Sequence, residues 1–107
     1  MKTIRGIQLK QQEWAKRHFG DCPSYLPLLG IVEEVGELSH SHLKQSQGIR
    51  GDNAKHIADA KDAVGDIVIF LMDYCNRRGW DLQEIIEDTW DEVSKRKWNV
   101  AGKGKTL

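Results

Sequence analysis

A chain of 107 residues is long enough for one domain with a single core and too short for two. Hydrophobic residues make up 39% and charged residues 30%, and 16 basic against 16 acidic residues leave a formal net charge of zero. Bulk electrostatics therefore recruit neither nucleic acid nor an anionic membrane. The stretch Met1 to Gly6 lacks the apolar centre of a secretory leader, and the longest apolar run, Ile67 to Met72, is far too short to cross a bilayer, so a cytoplasmic protein is expected. Cys22 and Cys75 form no metal-ligand pattern and are expected as free thiols, Cys75 buried in a helix.

Sustained period-two alternation is missing, and most β-branched residues fall within helical patterns, so the expected class is all-α. A first helix is expected from about Ile4 to His18, turning Ile7, Trp14 and Phe19 to the core before the breaker Gly20-Asp21-Cys22-Pro23. Ser24 is positioned to cap a second helix running from about Tyr25 to Gln45. Pro27 is tolerated in its first turn, and Leu28, Ile31, Val32, Val35 and Leu38 recur on one side. Gly48 to Asn53 reads as a polar loop. The third helix spans roughly Ala54 to Arg78 and ends at Gly79. Asp81 then caps a fourth, with Glu84 in a capping-box variant and Leu82, Ile85, Ile86, Trp90 and Val93 as its apolar face, fading near Trp98. Asn99 to Leu107 has no periodicity and reads as a mobile tail, giving a domain over 1–98 and a tail over 99–107. Four helices joined by short connections imply a bundle.

Two acidic clusters stand out, Glu33-Glu34-Val35-Gly36-Glu37 on the second helix and Asp62-Ala63-Val64-Gly65-Asp66 on the third. At about 100° per residue, Glu34 and Glu37 fall within roughly 60° of each other, and Asp62 and Asp66 within roughly 40°. Each pair can aim its oxygens at one spot. Carboxylates without cysteine or a histidine set suit a hard cation, Mg²⁺ or Mn²⁺, which commonly serves phosphate chemistry. An acidic helix face taken alone is ordinarily just solvated. The third helix argues otherwise, because Asp59, Asp62, Asp66 and Asp73 form one stripe beside the apolar run Ile67 to Met72, and few cations on that helix are placed to relieve them. Asp66 then sits at the edge of a core, where an ionised carboxylate needs a partner. Gly36 and Gly65 lie inside helices beside these acids, where glycine costs about 1 kcal/mol relative to alanine, which suggests a close backbone approach or a tight helix crossing.

These residues resemble the MazG-like branch of the all-α nucleoside triphosphate pyrophosphohydrolases, and the likeness covers most of the chain. The family's first motif, two glutamates and a third after two residues, is matched by Glu33-Glu34-Val35-Gly36-Glu37. Its second motif, glutamate, two residues, aspartate, is matched at Asp66, while Ala63 occupies the glutamate position and Asp62 supplies an acid one residue earlier. The resemblance implies an oligomeric four-helix bundle-like fold, a homodimer or homotetramer, that hydrolyses a nucleoside triphosphate between its α and β phosphates to a monophosphate and pyrophosphate. It further implies Mg²⁺ bound by Glu34, Glu37 and Asp66 with Asp62. Glu33 would then hold or deprotonate the attacking water, or share in coordination.

The same resemblance makes Trp14 and His18 a wall for a stacked base, with Phe70 as another pocket residue, although tryptophan on an amphipathic helix is more often core. Trp80 and Trp90 read as structural. Lys44 can meet a phosphate or stay solvated. Lys95-Arg96-Lys97-Trp98 resembles the phosphate-binding end of the last helix, and cations there are also expected from the helix dipole. Lys103 and Lys105 are positioned to close over phosphates. Two other classes compete. Glu37-Leu38-Ser39-His40 reads as Glu-x-x-His, a ferritin-like di-iron ligand pair, but the third helix offers no second pair. A non-catalytic helical oligomeric module would keep the acids only as solvated faces.

Overall fold

The computed structural model describes residues 2–97; Trp98, the tail and Lys103 and Lys105 lie outside the described residues. The chain is all-α, with helices α1 (Ile4–Phe19), α2 (Tyr25–Gln47), α3 (Asn53–Arg78) and α4 (Leu82–Val93). Local chemistry sets their ends. The Thr3 hydroxyl accepts from Gly6 N, and the Asp52 carboxylate accepts from Lys55 N at 2.8 Å, each satisfying an orphan donor of a first turn. Gly48 and Gly79 close α2 and α3 in the left-handed region, at φ 69° and 73°. Asp81 caps α4 by accepting from Gln83 N. Ser24 stands at the cap position of α2 but has helical backbone angles and no capping bond, so it does not play the expected role. α4 stops at Val93, short of the expected fade near Trp98, where the Ser94 hydroxyl turns back to the Asp91 carbonyl at 3.1 Å.

Helices α2 and α3 form an antiparallel hairpin whose seam runs from the Gln45–Asn53 hydrogen bond at one end to the Gly30–Phe70 contact at the other. α1 and α4 pack on α3 and on each other, and α2 touches α3 alone. The helices of one chain therefore do not close around a common axis. The core is correspondingly small: Met72, Cys75 and Leu82, with Ile4, Ile7 and Leu71 against them. Cys75 is a buried free thiol whose pKa is pushed up by burial and then by Asp81.

The seam of α2 differs from the one its hydrophobic pattern predicts. Pro27 and Ser41 are buried there, and Gly30 and Glu34 are half-buried; of the expected apolar side, Ile31 and Leu38 are half-buried, whereas Leu28, Val32 and Val35 stay exposed. Small residues let α2 lie close on α3, and the ring of Phe70 lies directly over Gly30. Four exposed apolar residues of α2 (Leu28, Val32, Val35, Leu43) form one stripe of about 80° of arc, and three on α3 (Ile57, Val64, Val68) one of about 40°, while Leu26, Leu29 and Ile69 are exposed outside these stripes. In an antiparallel pair both stripes lie on one side of the hairpin, opposite the acidic side. Trp14, Phe19, Ile69, Ile85, Ile86 and Trp90, expected in the core or as structural, are also exposed in the chain. The radius of gyration is 16.9 Å, against about 13 Å for a compact domain of this length. The accessible surface is 8234 Å², against about 6,100 Å² for a compact monomer of this mass.

Candidate functional site

Glu34, Glu37, Asp59, Asp62, Ala63 and Asp66 line one cavity of about 360 Å³ between α2 and α3. Helical spacing brings each acid there: Glu34 and Glu37 lie one turn apart on α2, and Asp59, Asp62 and Asp66 lie on successive turns of α3. Two aspartates of the stripe are relieved by cations one turn away, contrary to the sequence expectation. Asp59 pairs with Lys55 at 2.6 Å and Asp73 with Arg77 at 3.2 Å. Glu34, Glu37, Asp62 and Asp66 take part in no ion pair or side-chain hydrogen bond among the described residues. The cost of this shows at Glu34, whose carboxyl is pushed up first by burial and then by the charges of Asp66, Glu37, Asp62 and Glu33. Among the described residues no three His, Cys, Asp or Glu side chains stand close enough together to hold a metal ion as they are. Glu33 is exposed and does not line the cavity. Ala63 is buried in its wall, and Asp62 opens into the same space as Asp66.

A second cavity, of about 270 Å³, lies between α1 and α3 and shares Asp66 with the first. Trp14, Phe19, Ile69 and Phe70 form its apolar walls, with Gln11 and Asp73 as polar lining. Trp14 and Phe19 meet edge to face at 5.5 Å. Trp14 and Phe70, expected in a pocket, are brought together here. His18 is not part of the lining; its ring stacks against Trp14 at 4.7 Å and its Nδ1 donates to the Trp14 carbonyl at 2.8 Å. Sequence reasoning missed Phe19 and Gln11 as pocket residues. Phe19 carried the apolar signal of a core residue, and Gln11 is a polar residue whose burial no periodicity announces.

The expected cations stand apart from both cavities. Lys44 donates to Gln47 Oε1 at 3.0 Å, and Lys95 and Arg96 pair with Asp91 and Glu92 at 3.1 and 3.3 Å. His40 of the Glu-x-x-His segment is exposed, and His56 is buried with its Nε2 on the Ile49 carbonyl at 2.8 Å, so neither lines the acidic cavity. Among the described residues nothing approaches Gly36 or Gly65, so neither the close approach nor the tight crossing expected there occurs among them. Among the described glycines, Gly30 is the one an aromatic ring crowds. No protein-family model, curated protein or solved structure matches the chain.

Proposed function

We propose that the protein is a Mg²⁺-dependent nucleoside triphosphate pyrophosphohydrolase of the MazG-like kind. One observation carries the reading: four carboxylates without a cationic partner face one cavity, and Asp66 joins that cavity to an aromatic one. Charged groups left so close together need a counter-charge, and an all-oxygen donor set suits Mg²⁺, with Mn²⁺ able to replace it. Glu34, Glu37 and Asp66, with Asp62, would hold the ion, which when bound neutralises phosphate oxygens and lowers the pKa of a coordinated water. Glu33, beside Glu34 on the outer side of α2, is assigned to orient or deprotonate the attacking water. Attack at the α-phosphorus breaks the bond to the bridging α–β oxygen, releasing pyrophosphate and leaving a nucleoside monophosphate. Trp14 and Phe70 would sandwich the base. Lys44, Lys95 and Arg96 are assigned to phosphates, the last two at the site of a neighbouring subunit. A second copy of the chain covers the apolar side of the hairpin, making a homodimer or homotetramer.

A non-catalytic helical module is favoured by one feature, the lack among the described residues of three acids poised as they stand around a single ion. Incubation with a panel of ribo- and deoxynucleoside triphosphates, with Mg²⁺ or with excess chelator, separates the two readings. Metal-dependent release of pyrophosphate and monophosphate is expected. Glu37→Gln and Asp66→Asn should lower it by at least the roughly 10–100-fold that loss of a ligand's supporting partner costs. Absence of release from every nucleotide by the folded protein overturns the hydrolase and leaves the module.

A further inference from the structure

The aromatic cavity carries one polar group whose direction is fixed from outside it. Gln11 is 9% exposed, its Oε1 accepts from Asn76 Nδ2 at 2.8 Å, and its Nε2 has no hydrogen-bond partner among the described residues. A relay leading to the start of α4 determines which end of that amide is free. The Leu82 backbone N–H, which can only donate, gives its proton to Gln8 Oε1 at 2.9 Å. Gln8 Nε2 then donates to the Trp80 carbonyl and to Asn76 Oδ1, both at 2.8 Å. That leaves Asn76 Nδ2 to donate to the Gln8 carbonyl at 3.1 Å and to Gln11 Oε1. Each amide can take only one orientation once Leu82 N–H and the Trp80 carbonyl are in place. Gln11 is held with an N–H₂ group left over, and the cavity it lines is the aromatic one.

We infer that Gln11 is a specificity-determining donor for the base of the nucleotide, and that Gln8 and Asn76 are positioning residues that set its polarity. The inference rests on the nucleotide reading above and adds to it the hydrogen-bonding chemistry of the base pocket. The walls accept any flat ring, so stacking alone separates bases poorly. A donor with no partner among the described residues, on a side chain held in one orientation, selects the ring edge that offers an acceptor at that point, because the wrong edge leaves both groups unpaired. Asp73, an acceptor in the same lining, favours a ring donor beside that acceptor. The ligand is thus a nucleobase presenting an acceptor–donor pair in a fixed sense.

Two substitutions far apart in the chain should reverse that sense in the same way. Gln11→Glu keeps an oxygen for Asn76 and turns an acceptor into the cavity. Asn76→Asp removes the donor that Gln11 Oε1 uses, so the Gln11 amide turns over and presents its oxygen, with no change to any residue lining the aromatic cavity. The measurement is the ratio of kcat/KM for dUTP over dCTP and for dGTP over dATP, pairs whose edges exchange donor and acceptor. It is paired with calorimetric binding of the corresponding deoxynucleoside monophosphates in chelator. Both variants are expected to shift the ratio by about tenfold or more in one common direction, in turnover and in binding. A uniform loss across all four bases, or shifts of opposite direction, overturns the inference while leaving the hydrolase in place. Shifted monophosphate binding without turnover of any triphosphate sustains the inference and sinks the hydrolase. No base-dependent binding in the wild type sinks the inference.

Discussion

Glu34 is the side chain where the electrostatics of the acidic cavity can be read directly. Its carboxyl is pushed up by burial and by Asp66, Glu37, Asp62 and Glu33. A carboxyl whose folded pKa exceeds its unfolded one favours folding fully at low pH and loses that contribution as pH rises through the folded pKa. Charged Glu34 therefore destabilises the metal-free fold at neutral pH. In chelator, Glu34→Gln should raise the melting temperature at pH 7, and the gain should shrink as the pH is lowered through that raised pKa. Saturating Mg²⁺ should raise the melting temperature of the wild type above that of the variant, since a ligand at 100 times its Kd stabilises by about 2.7 kcal/mol. Thermal melts over pH, with and without the ion, check both signs. The convergence of these acids was legible in the sequence, because a spacing of three or four residues fixes the face of a helix whatever it packs against. The pairing of Asp59 with Lys55 and of Asp73 with Arg77 was available in the same spacing and reduces the unpaired acids of α3 to Asp62 and Asp66.

Between helices, the hairpin of α2 and α3 shows why an apolar stripe is not always the buried one. The buried and half-buried side of α2 holds Pro27, Gly30, Glu34 and Ser41 with Ile31 and Leu38, a largely small and polar seam, and Leu28, Val32 and Val35 stay outside. Gly30 is the element's critical small residue. A Cβ there would lie 2.7–2.9 Å from three atoms of the Phe70 ring. Gly30→Ala should gain about 0.5–1 kcal/mol of helix preference and lose about 1–3 kcal/mol to overpacking, a net destabilisation of about 1 kcal/mol measurable by urea unfolding. It should also raise KM, since displacing Phe70 reshapes the wall of the aromatic cavity. Unchanged stability and KM would refute the packing account. Helix limits were readable to within a residue or two where Asp52, Gly48, Gly79 and Asp81 supply caps and stops. The identity of the seam was not, because Gly30 and Ser41 carry no hydrophobic signal.

At the scale of the molecule, the chain is more open than a compact monomer of its length. Its surface exceeds that of a compact monomer of its mass by roughly 2,000 Å², an amount comparable with that buried in permanent subunit interfaces. We expect the purified protein to have at least twice the 12.2 kDa chain mass by light scattering. Val64→Glu, a charge in the middle of the exposed stripe of α3, should shift it toward the single-chain mass and lower its melting temperature. A wild type of single-chain mass would remove the second copy from the proposal. Helix number, helix limits and the shared direction of the acids are consequences of short-range rules, caps and a period of 3.6 residues, that one chain carries in its order of residues. Which face of α2 is buried, which aromatics line a cavity rather than a core, and which amide end Gln11 leaves free depend on partners distant along the chain. They arise from the packing of α2 on α3 and from the relay through Gln8 and Asn76, where long-range shape and donor–acceptor matching outweigh local pattern.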